Sequence, residues 1–192
     1  MSKTSTFQTP FRRRNEGRTN YAKRLAYMKS DAPRAVVRKS TNHVTVQIVQ
    51  TAKEGVDHVM ASGHTKELAG FGYTGHGGNV PAAYLAGYLA GLRMGKKTED
   101  AEAIVDLGVQ TTTHGTRLFA AVKGIMDAGI KVKVDPVAFP SNERLSGKHI
   151  AAFSQKEPSK MNRTQFSRYV SKKVAVQLFS EMVEAAKKNM SE

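Results

Sequence analysis

Cysteine is absent from all 192 residues. That absence excludes disulfides, thiolate metal sites and cysteine nucleophiles, and it suits a reducing cytosol. An apolar leader core is missing from the first ten residues, MSKTSTFQTP, so a secretory signal is not expected. Leu68 to Leu92 lacks Asp, Glu, Lys and Arg, but its seven glycines and one proline leave no continuous apolar run long enough to cross a bilayer. Internal repeats and low-complexity tracts are also wanting. The expectation is a soluble cytoplasmic protein of one ordinary domain with extensions, large enough to bury a core without a staple.

Acidic residues are scarce, 16 against 30 Lys and Arg, and the excess is localised. Residues 1–39 carry 11 basic and 2 acidic side chains, residues 40–143 carry 9 and 10, and residues 144–192 carry 10 and 4. A nearly neutral centre therefore lies between two basic ends, where an ordinary solvated surface would mix its signs. Such ends fit a polyanion, either nucleic acid or an anionic membrane face. The first end is rich in arginine and has no strongly apolar face, which favours phosphate over lipid. Its core, FRRRNEGRTNYAKRLAYMK over 11–29, holds Arg12, Arg13, Arg14, Arg18, Lys23, Arg24 and Lys29. Phe11, Tyr21 and Tyr27 are interleaved among them as faces on which unpaired bases can stack.

Residues 1–20 read as irregular and extended, and Tyr21 to Lys29 as a short helix with Leu25 and Met28 on one side. Pro33 ends any helix there. RAVVRKS and HVTVQIVQT form a hairpin about residues 40–43, with Val44, Val46 and Ile48 on its apolar face. DHVMASG is a third strand and AEAIVDLGV a buried fourth. Asn79 caps a helix with Pro81 in its first turn, and Gly87, Gly91 and Gly95 form a ridge suited to close approach to a sheet. Thr116 to Ala128 is an amphipathic helix directing Leu118, Val122, Ile125 and Met126 inward, with Gly129 as its terminator. Residues 130–161 show little periodicity. A last helix runs from about Arg163 to Lys188, with Asn162 as cap and Gln165 at the capping-box position. Its apolar row is Phe166, Val170, Val174, Leu178 and Met182, widened by Tyr169, Phe179 and Val183, beside basic Arg168, Lys172, Lys173, Lys187 and Lys188. The row docks on protein, either its own domain or a neighbour. The fold class is α/β: a mixed-sheet sandwich with a basic extended N-terminal arm and a C-terminal helical extension. The expected divisions are 1–32, 33–152 and 153–192.

Signals of catalysis are weak. GFGYTG, Gly70 to Gly75, matches G-x-G-x-x-G, but a helix-like run precedes it and no acidic residue closes a strand about twenty positions later. It reads as a flexible loop whose amides can meet phosphates. His43, His58, His64, His76, His114 and His149 lack metal-ligand spacing, and no nucleophile elbow is present. Asp106, at the end of a strand, has no matched catalytic partner and reads as structural. No catalytic residue, metal or cofactor is assigned. The competing readings are an RNA-modifying or nucleotide-binding enzyme on an α/β core and a membrane-surface adaptor.

FRRRNEGRTNYAKRL followed by PRAVVRKSTNHVTVQIV resembles the start of the universal L-eighteen family of large-subunit ribosomal proteins, whose eukaryotic members are called L-five. The likeness continues through GNVPAAYLAGYLAGLRMGKK, DLGVQTTTHGTRLFAAVKGIMDAG and FPSNERLSGKHIA, covering about residues 11–152, and the chain length matches the archaeal form. The resemblance implies an α/β domain that binds 5S rRNA through its basic arm and seats it against 23S-type rRNA in the central protuberance. Partners then include neighbouring large-subunit proteins, among them the other 5S rRNA-binding protein of the protuberance, and no membrane. It implies RNA contacts at Arg12, Arg13, Arg14, Arg18, Tyr21, Lys23, Arg24, Arg34, Arg38, Lys39 and Asn42. Thr113, His114, Gly115, Thr116 and Arg117 correspond to a family segment that usually reads Lys-Gly-Ser-Arg, so His114 stands where a lysine is usual. Asp31 stands where relatives carry a neutral or basic turn residue. Phe11, Lys29, His76 and Asn79 complete the candidate RNA-binding set.

Overall fold

The computed structural model describes residues 8–52, 56–96, 101–156, 166–171 and 174–191. The basic segment begins with a single helical turn, α1 (Arg12–Asn15), closed by Gly17 at φ +65°. The expectation of an extended arm fails here because Arg14 and Asn15 both donate to the Phe11 carbonyl. Helix α2 (Tyr21–Lys29) follows, and its first turn is capped by the Asn20 side chain, which accepts from the Lys23 amide. Asp31 then takes a left-handed conformation, φ 53°, to reverse the chain. Aspartate tolerates that region better than most side chains, which accounts for its presence in the turn.

Strands β1 (Arg34–Lys39), β2 (Val44–Gln50), β3 (His58–His64) and β4 (Ile104–Asp106) form one mixed sheet in the order β3-β2-β1-β4. The hairpin pairs β1 with β2 antiparallel, Val37 opposite Val46, and β4 joins β1 in parallel. Alternation buries Val44, Val46 and Ile48 on one face, and a register shift at Ile48/Val49 buries Val49 as well. β4 is shorter than its apolar run suggests. It is an edge strand of three residues, with Ile104 and Val105 only half-buried.

Helices α3 (Val80–Gly95) and α4 (Arg117–Asp127) cover the buried face of the sheet. Asn79 caps α3 as its sequence indicates, accepting from the Ala82 amide at 2.8 Å. Gly87 and Gly91 of its glycine ridge, however, meet α4 rather than the sheet. A Cβ on Gly87 would collide with the Ala121 carbonyl, and one on Gly91 would lie 2.5 Å from the Ala128 Cβ. Gly124 of α4 returns the contact against the Tyr84 carbonyl. The close approach to the sheet is instead made by Gly63 of β3, beneath Ala86 and Ala90. Small residues therefore face each other across both seams, bringing backbones nearer than side chains would allow.

Beyond α4, a stretch with little periodicity still folds into a 3₁₀ turn (Pro136–Ala138) and two short helices, α5 (Asn142–Ser146) and α6 (Lys148–Lys156). The long last helix is not continuous. The described residues form α7 (Ser167–Ser171), a 3₁₀ turn (Val176–Leu178) and α8 (Phe179–Ser191); Asn162 and Gln165 lie outside them. The inward stripe of α8 is Phe179, Val183, Ala186 and Met190, whereas Val170 and Leu178 are exposed at 44% and 52%. Phe179 decides the rotation. It is fully buried and meets Tyr73 and Tyr169 edge-on, with ring centroids 5.9 and 6.2 Å apart. Burying an aromatic there outweighs continuing a row that would bury Leu178. Lys187, expected on the basic face, instead lies over the rings of Tyr84 and Tyr88 at 5.3 and 4.9 Å and donates to the Tyr84 hydroxyl. The GFGYTG segment is the seat of this helix: Gly75 sits against Tyr73 and Phe179, and Asn189 donates to the Phe71 carbonyl.

The α3–α4 seam predicts a graded response to added methyl groups. Gly87→Ala and Gly91→Ala should each lower stability by about 1–3 kcal/mol through overpacking. Gly95, at the end of α3, where an added Cβ would meet nothing within 4 Å among the described residues, should tolerate alanine or gain a few tenths of a kcal/mol. Urea unfolding of the three variants reads the order directly. An equal effect at all three would contradict the seam.

Alkaline pH supplies a second check. Burial pushes the hydroxyls of Tyr73 and Tyr84 well above the ordinary tyrosine range, and at Tyr84 the Asp127 carboxylate adds to the shift. The unfolded chain would lose these protons near pH 10 while the folded one keeps them, so stability from this source is complete below about pH 10 and falls as pH rises further. In an absorbance titration, two of the six tyrosines should ionise only as helical circular dichroism collapses. Ionisation of all six before unfolding would refute the assignment.

Candidate nucleic-acid interface

Two groups of the expected contact residues converge near the far end of β1. The first is built on α1, α2 and the β1–β4 edge. Arg34 lies inside the protein, 8% exposed, and its guanidinium is spent: Nε donates to Thr51 at 2.8 Å, Nη2 pairs with Asp57 at 2.6 Å, and Nη1 lies 3.6 Å from Asp106. Asp106, 7% exposed, is thus shared with Arg38, whose Nη2 reaches it at 3.0 Å. Arg38 Nη1 also donates to the Asp106 and Val37 carbonyls at 2.8 and 2.9 Å. The other Asp106 oxygen accepts from the Gly108 amide at 2.8 Å, and Gly108, at φ +66°, leaves room for the Arg38 guanidinium against its backbone. A carboxylate accepting from this many donors is well satisfied, which supports the structural role read from the sequence.

Helix α2 is tied to the same network. Tyr27 donates from its hydroxyl to the Val105 carbonyl at 3.3 Å and lies under the Arg34 guanidinium, and Arg24 reaches Asp57 at 3.9 Å. Desolvation raises the Tyr27 hydroxyl above its ordinary value, reinforced by Asp106 and opposed by Arg38 and Arg34. Between helix and strand edge lies a cleft of about 170 Å³, lined by Arg13, Arg18, Lys23, Arg24, Arg34 and Arg38 with Asp106 as its one carboxylate. A wider groove of about 540 Å³ adjoins it, sharing Asn20, Lys23 and Tyr27 and running past Gln110 to Phe119 and Lys133. Phe11, 72% exposed, pairs with Tyr21 at 5.3 Å between ring centroids, so an aromatic surface stands beside the cations. Arg12, Arg14 and Lys29 are exposed on α1 and α2.

The second group gathers loops. Arg117 Nη1 donates to the Gly78 carbonyl at 2.8 Å and reaches the Ser40 carbonyl at 3.4 Å, fastening the β1–β2 turn to the loop before α3. Gly77 and Gly78 permit this closeness, since side chains there would strike His43 and Thr41. Asn42 and His114 stand exposed on either side, and Thr116 closes its own turn by donating to the Thr113 carbonyl. Gly115, at φ +69°, donates to the Ala138 carbonyl. His76 is half-buried, its Nδ1 accepting from the Gly78 amide, and its backbone amide is held by Tyr169. Asn79 uses its oxygen on the helix cap and on the Tyr73 hydroxyl, while its buried amide nitrogen has no partner among the described residues. Lys39 bridges the groups, its amide donating to Gln110.

Arg34 is thus the candidate that the structure removes from the surface, and Asn79 and Arg117 are largely committed to holding loops. Lys133, on the wider groove, was not among the candidates; it lies in an aperiodic stretch whose placement only the fold reveals. Among the described residues no cluster of histidine and carboxylate could hold a metal, and no helix is long and apolar enough to cross a membrane.

The arrangement defines a class before it defines a family: an α/β protein with a cationic surface, interleaved with aromatic rings, of the kind that binds polyanions. The family model for ribosomal large subunit proteins 60S L5 and 50S L18 matches residues 5–104 and 95–135. The chain is 42% identical over 193 residues to the large ribosomal subunit protein uL18 of Korarchaeum cryptofilum, covering all of this chain and 97% of that one. It is 39% identical to the uL18 protein of Methanococcus maripaludis, covering 99% of this chain and 98% of that one. The chain belongs to this family of large-subunit ribosomal proteins, structural constituents of the ribosome rather than enzymes.

The network predicts an unequal cost for its members. Asp106→Ala leaves Arg34 buried with Asp57 alone and should lower stability by roughly 3 kcal/mol, the low end for breaking a buried pair. Arg24→Ala removes a longer, exposed pair and should cost under about 1 kcal/mol. Chemical denaturation of both variants compares them; equal losses would mean the buried carboxylate does not organise the edge.

Proposed function

We propose that this chain binds 5S rRNA and anchors it to the 23S-type rRNA in the central protuberance of the large subunit, beside neighbouring ribosomal proteins. The observation that carries the reading is the docking of α2 on the β1–β4 edge, which brings the basic segment and the strand residue Arg38 to one surface. In this reading Arg12, Arg13, Arg14, Arg18, Lys23, Arg24, Lys29, Arg38 and Lys39 meet backbone phosphates, and Phe11 and Tyr21 offer faces to unpaired bases. Asn42, His76 and Thr113 to Arg117 present a second, more polar contact on the loops. Arg34 and Asn79 serve the interface from behind it, by holding the strand edge and the α3 cap. A nucleotide-using enzyme is not supported, because GFGYTG packs under α8 rather than opening a phosphate loop.

Deleting residues 1–20 tests the reading. The truncation removes Lys3, Arg12, Arg13, Arg14 and Arg18. For every phosphate these side chains neutralise, the slope of log K against log salt should flatten by about 0.7–0.9. 5S rRNA affinity should fall and its salt dependence weaken, with the fold retained by circular dichroism. Unchanged affinity and slope would overturn the proposal.

A further inference from the structure

We propose that the cleft between α2 and the β1–β4 edge is a socket for a single phosphate group of RNA, distinct in kind from the diffuse charge around it. The inference rests on the RNA-binding reading above and specifies how one site within it works. Six cationic side chains and one carboxylate converge on about 170 Å³. Asp57, Asp106 and Glu16 offset Arg34, Arg24, Arg18 and part of Arg38, but Arg13, Lys23 and the remainder still repel, and an anion placed among them relieves that repulsion.

The site is also prearranged. Arg38 is exposed enough to reach a ligand, its side chain 45% accessible, yet three hydrogen bonds and the Gly108 backbone fix its guanidinium. Little rotamer freedom remains to be surrendered on binding. Its Nε makes no hydrogen bond among the described residues, and the Lys23 ammonium opposite has no partner among them either. Arg13 is steadied by donating to Thr19 at 2.9 Å. By contrast Arg12 and Arg18 answer to Glu16 on the exposed rim.

The lining also selects the ligand's chemistry. Tyr27 is the one aromatic ring in the wall, and it is already covered by Arg34. Tyr27 is engaged with Arg34 and Val105 rather than held out for stacking, whereas Phe11 and Tyr21 pair elsewhere on the arm. The cleft therefore suits a compact anion with several acceptor oxygens, supplied by an internal phosphodiester or by a terminal phosphate.

The experiment uses the full chain and follows arginine and lysine side-chain resonances by NMR. The probe is inorganic phosphate, added against chloride at equal ionic strength. Saturable shifts at Arg38 and Lys23 are expected, and they should disappear in Arg38→Gln and in Lys23→Gln. Lys23 is exposed, so its variant keeps the test valid if Arg38→Gln disturbs folding. With 5S rRNA, each cleft variant should weaken binding about tenfold or more, while Lys148→Gln, an equal charge change on α6, should change it less than about twofold. Removing the RNA's 5′ phosphate separates the two sources: retained dependence on Arg38 assigns the internal diester, and abolished dependence assigns the terminal group. If 5S rRNA binds but phosphate gives no saturable shift, or shifts that survive both substitutions, the socket is refuted and the broader RNA reading stands. If phosphate saturates the cleft but 5S rRNA does not bind, the cleft is an anion site, its assignment to RNA is refuted, and the broader reading fails with it.

Discussion

The buried carboxylate of Asp106 is the constraint on which the basic edge depends. Placing Arg34 and Arg38 two turns of pleat apart on the same face of β1 brings two guanidiniums together beside a parallel strand. Without a shared anion they would push the edge apart; with Asp106 between them they hold β4 to β1. β4 has only three residues, too few for ladder hydrogen bonds alone to secure an edge. Asp57 repeats the device from the other side, joining Arg34 to Arg24 and so drawing α2 onto the domain. The ion pairs are worth less as net stability than as placement, since burying them costs desolvation. What they fix is which arginines face inward and which remain available.

The helical layer sets the second half of the surface. Because Gly87, Gly91 and Gly124 bring α3 and α4 into backbone contact, the amino-terminal ends of both helices are held close to the β1–β2 turn. Arg117 can then close the gap with two carbonyl acceptors. A bulkier seam would separate the helices and pull Asn42, His76 and His114 out of one neighbourhood. The loop surface is a consequence of packing some distance below it, and α8 belongs to that packing. Its Phe179, Val183, Ala186 and Met190 complete the hydrophobic core, so the carboxy-terminal segment is not simply a second charged tail.

Much of this was legible beforehand where a residue type has one physical use. Asn79 before a proline, the period of Val44-Val46-Ile48 and Gly129 after an apolar helix each predict a local structure, and each is found. The ribosomal family was legible from ordered motifs spread along the chain. Failures occurred where the answer lay in a partner distant in sequence. Glycines four apart announce a close approach but not what approaches, and it was α4. The row through Leu178 and the row through Phe179 differ by about one residue of helix rotation, and Tyr73, far away along the chain, chose between them. Arg34 looked like its neighbours in a basic run; only the positions of Asp57 and Asp106 distinguish it. Lys133 had no local signal at all.

Charge distribution then acquires a mechanism rather than a total. With 16 acidic residues against 30 basic ones, the few carboxylates that do pair determine which cations are engaged. Asp57 and Asp106 take Arg34 wholly and Arg38 in part, Glu67 takes Arg93, and Asp127 takes Lys123. Arg13, Arg14, Lys23, Lys29 and Lys39, on the arm or the strand it docks on, have no acidic partners among the described residues, as is also true of Lys66, Lys96, Arg117, Arg144 and Lys148 elsewhere. At the edge, the ion pairs leave Arg13, Lys23 and part of Arg38 uncompensated beside the cleft. A polyanion would therefore meet a surface whose cations are partly fixed in place and whose repulsion it relieves on arrival. The arrangement links affinity to the same contacts that hold β4 and α2, so binding there would reinforce the edge it binds.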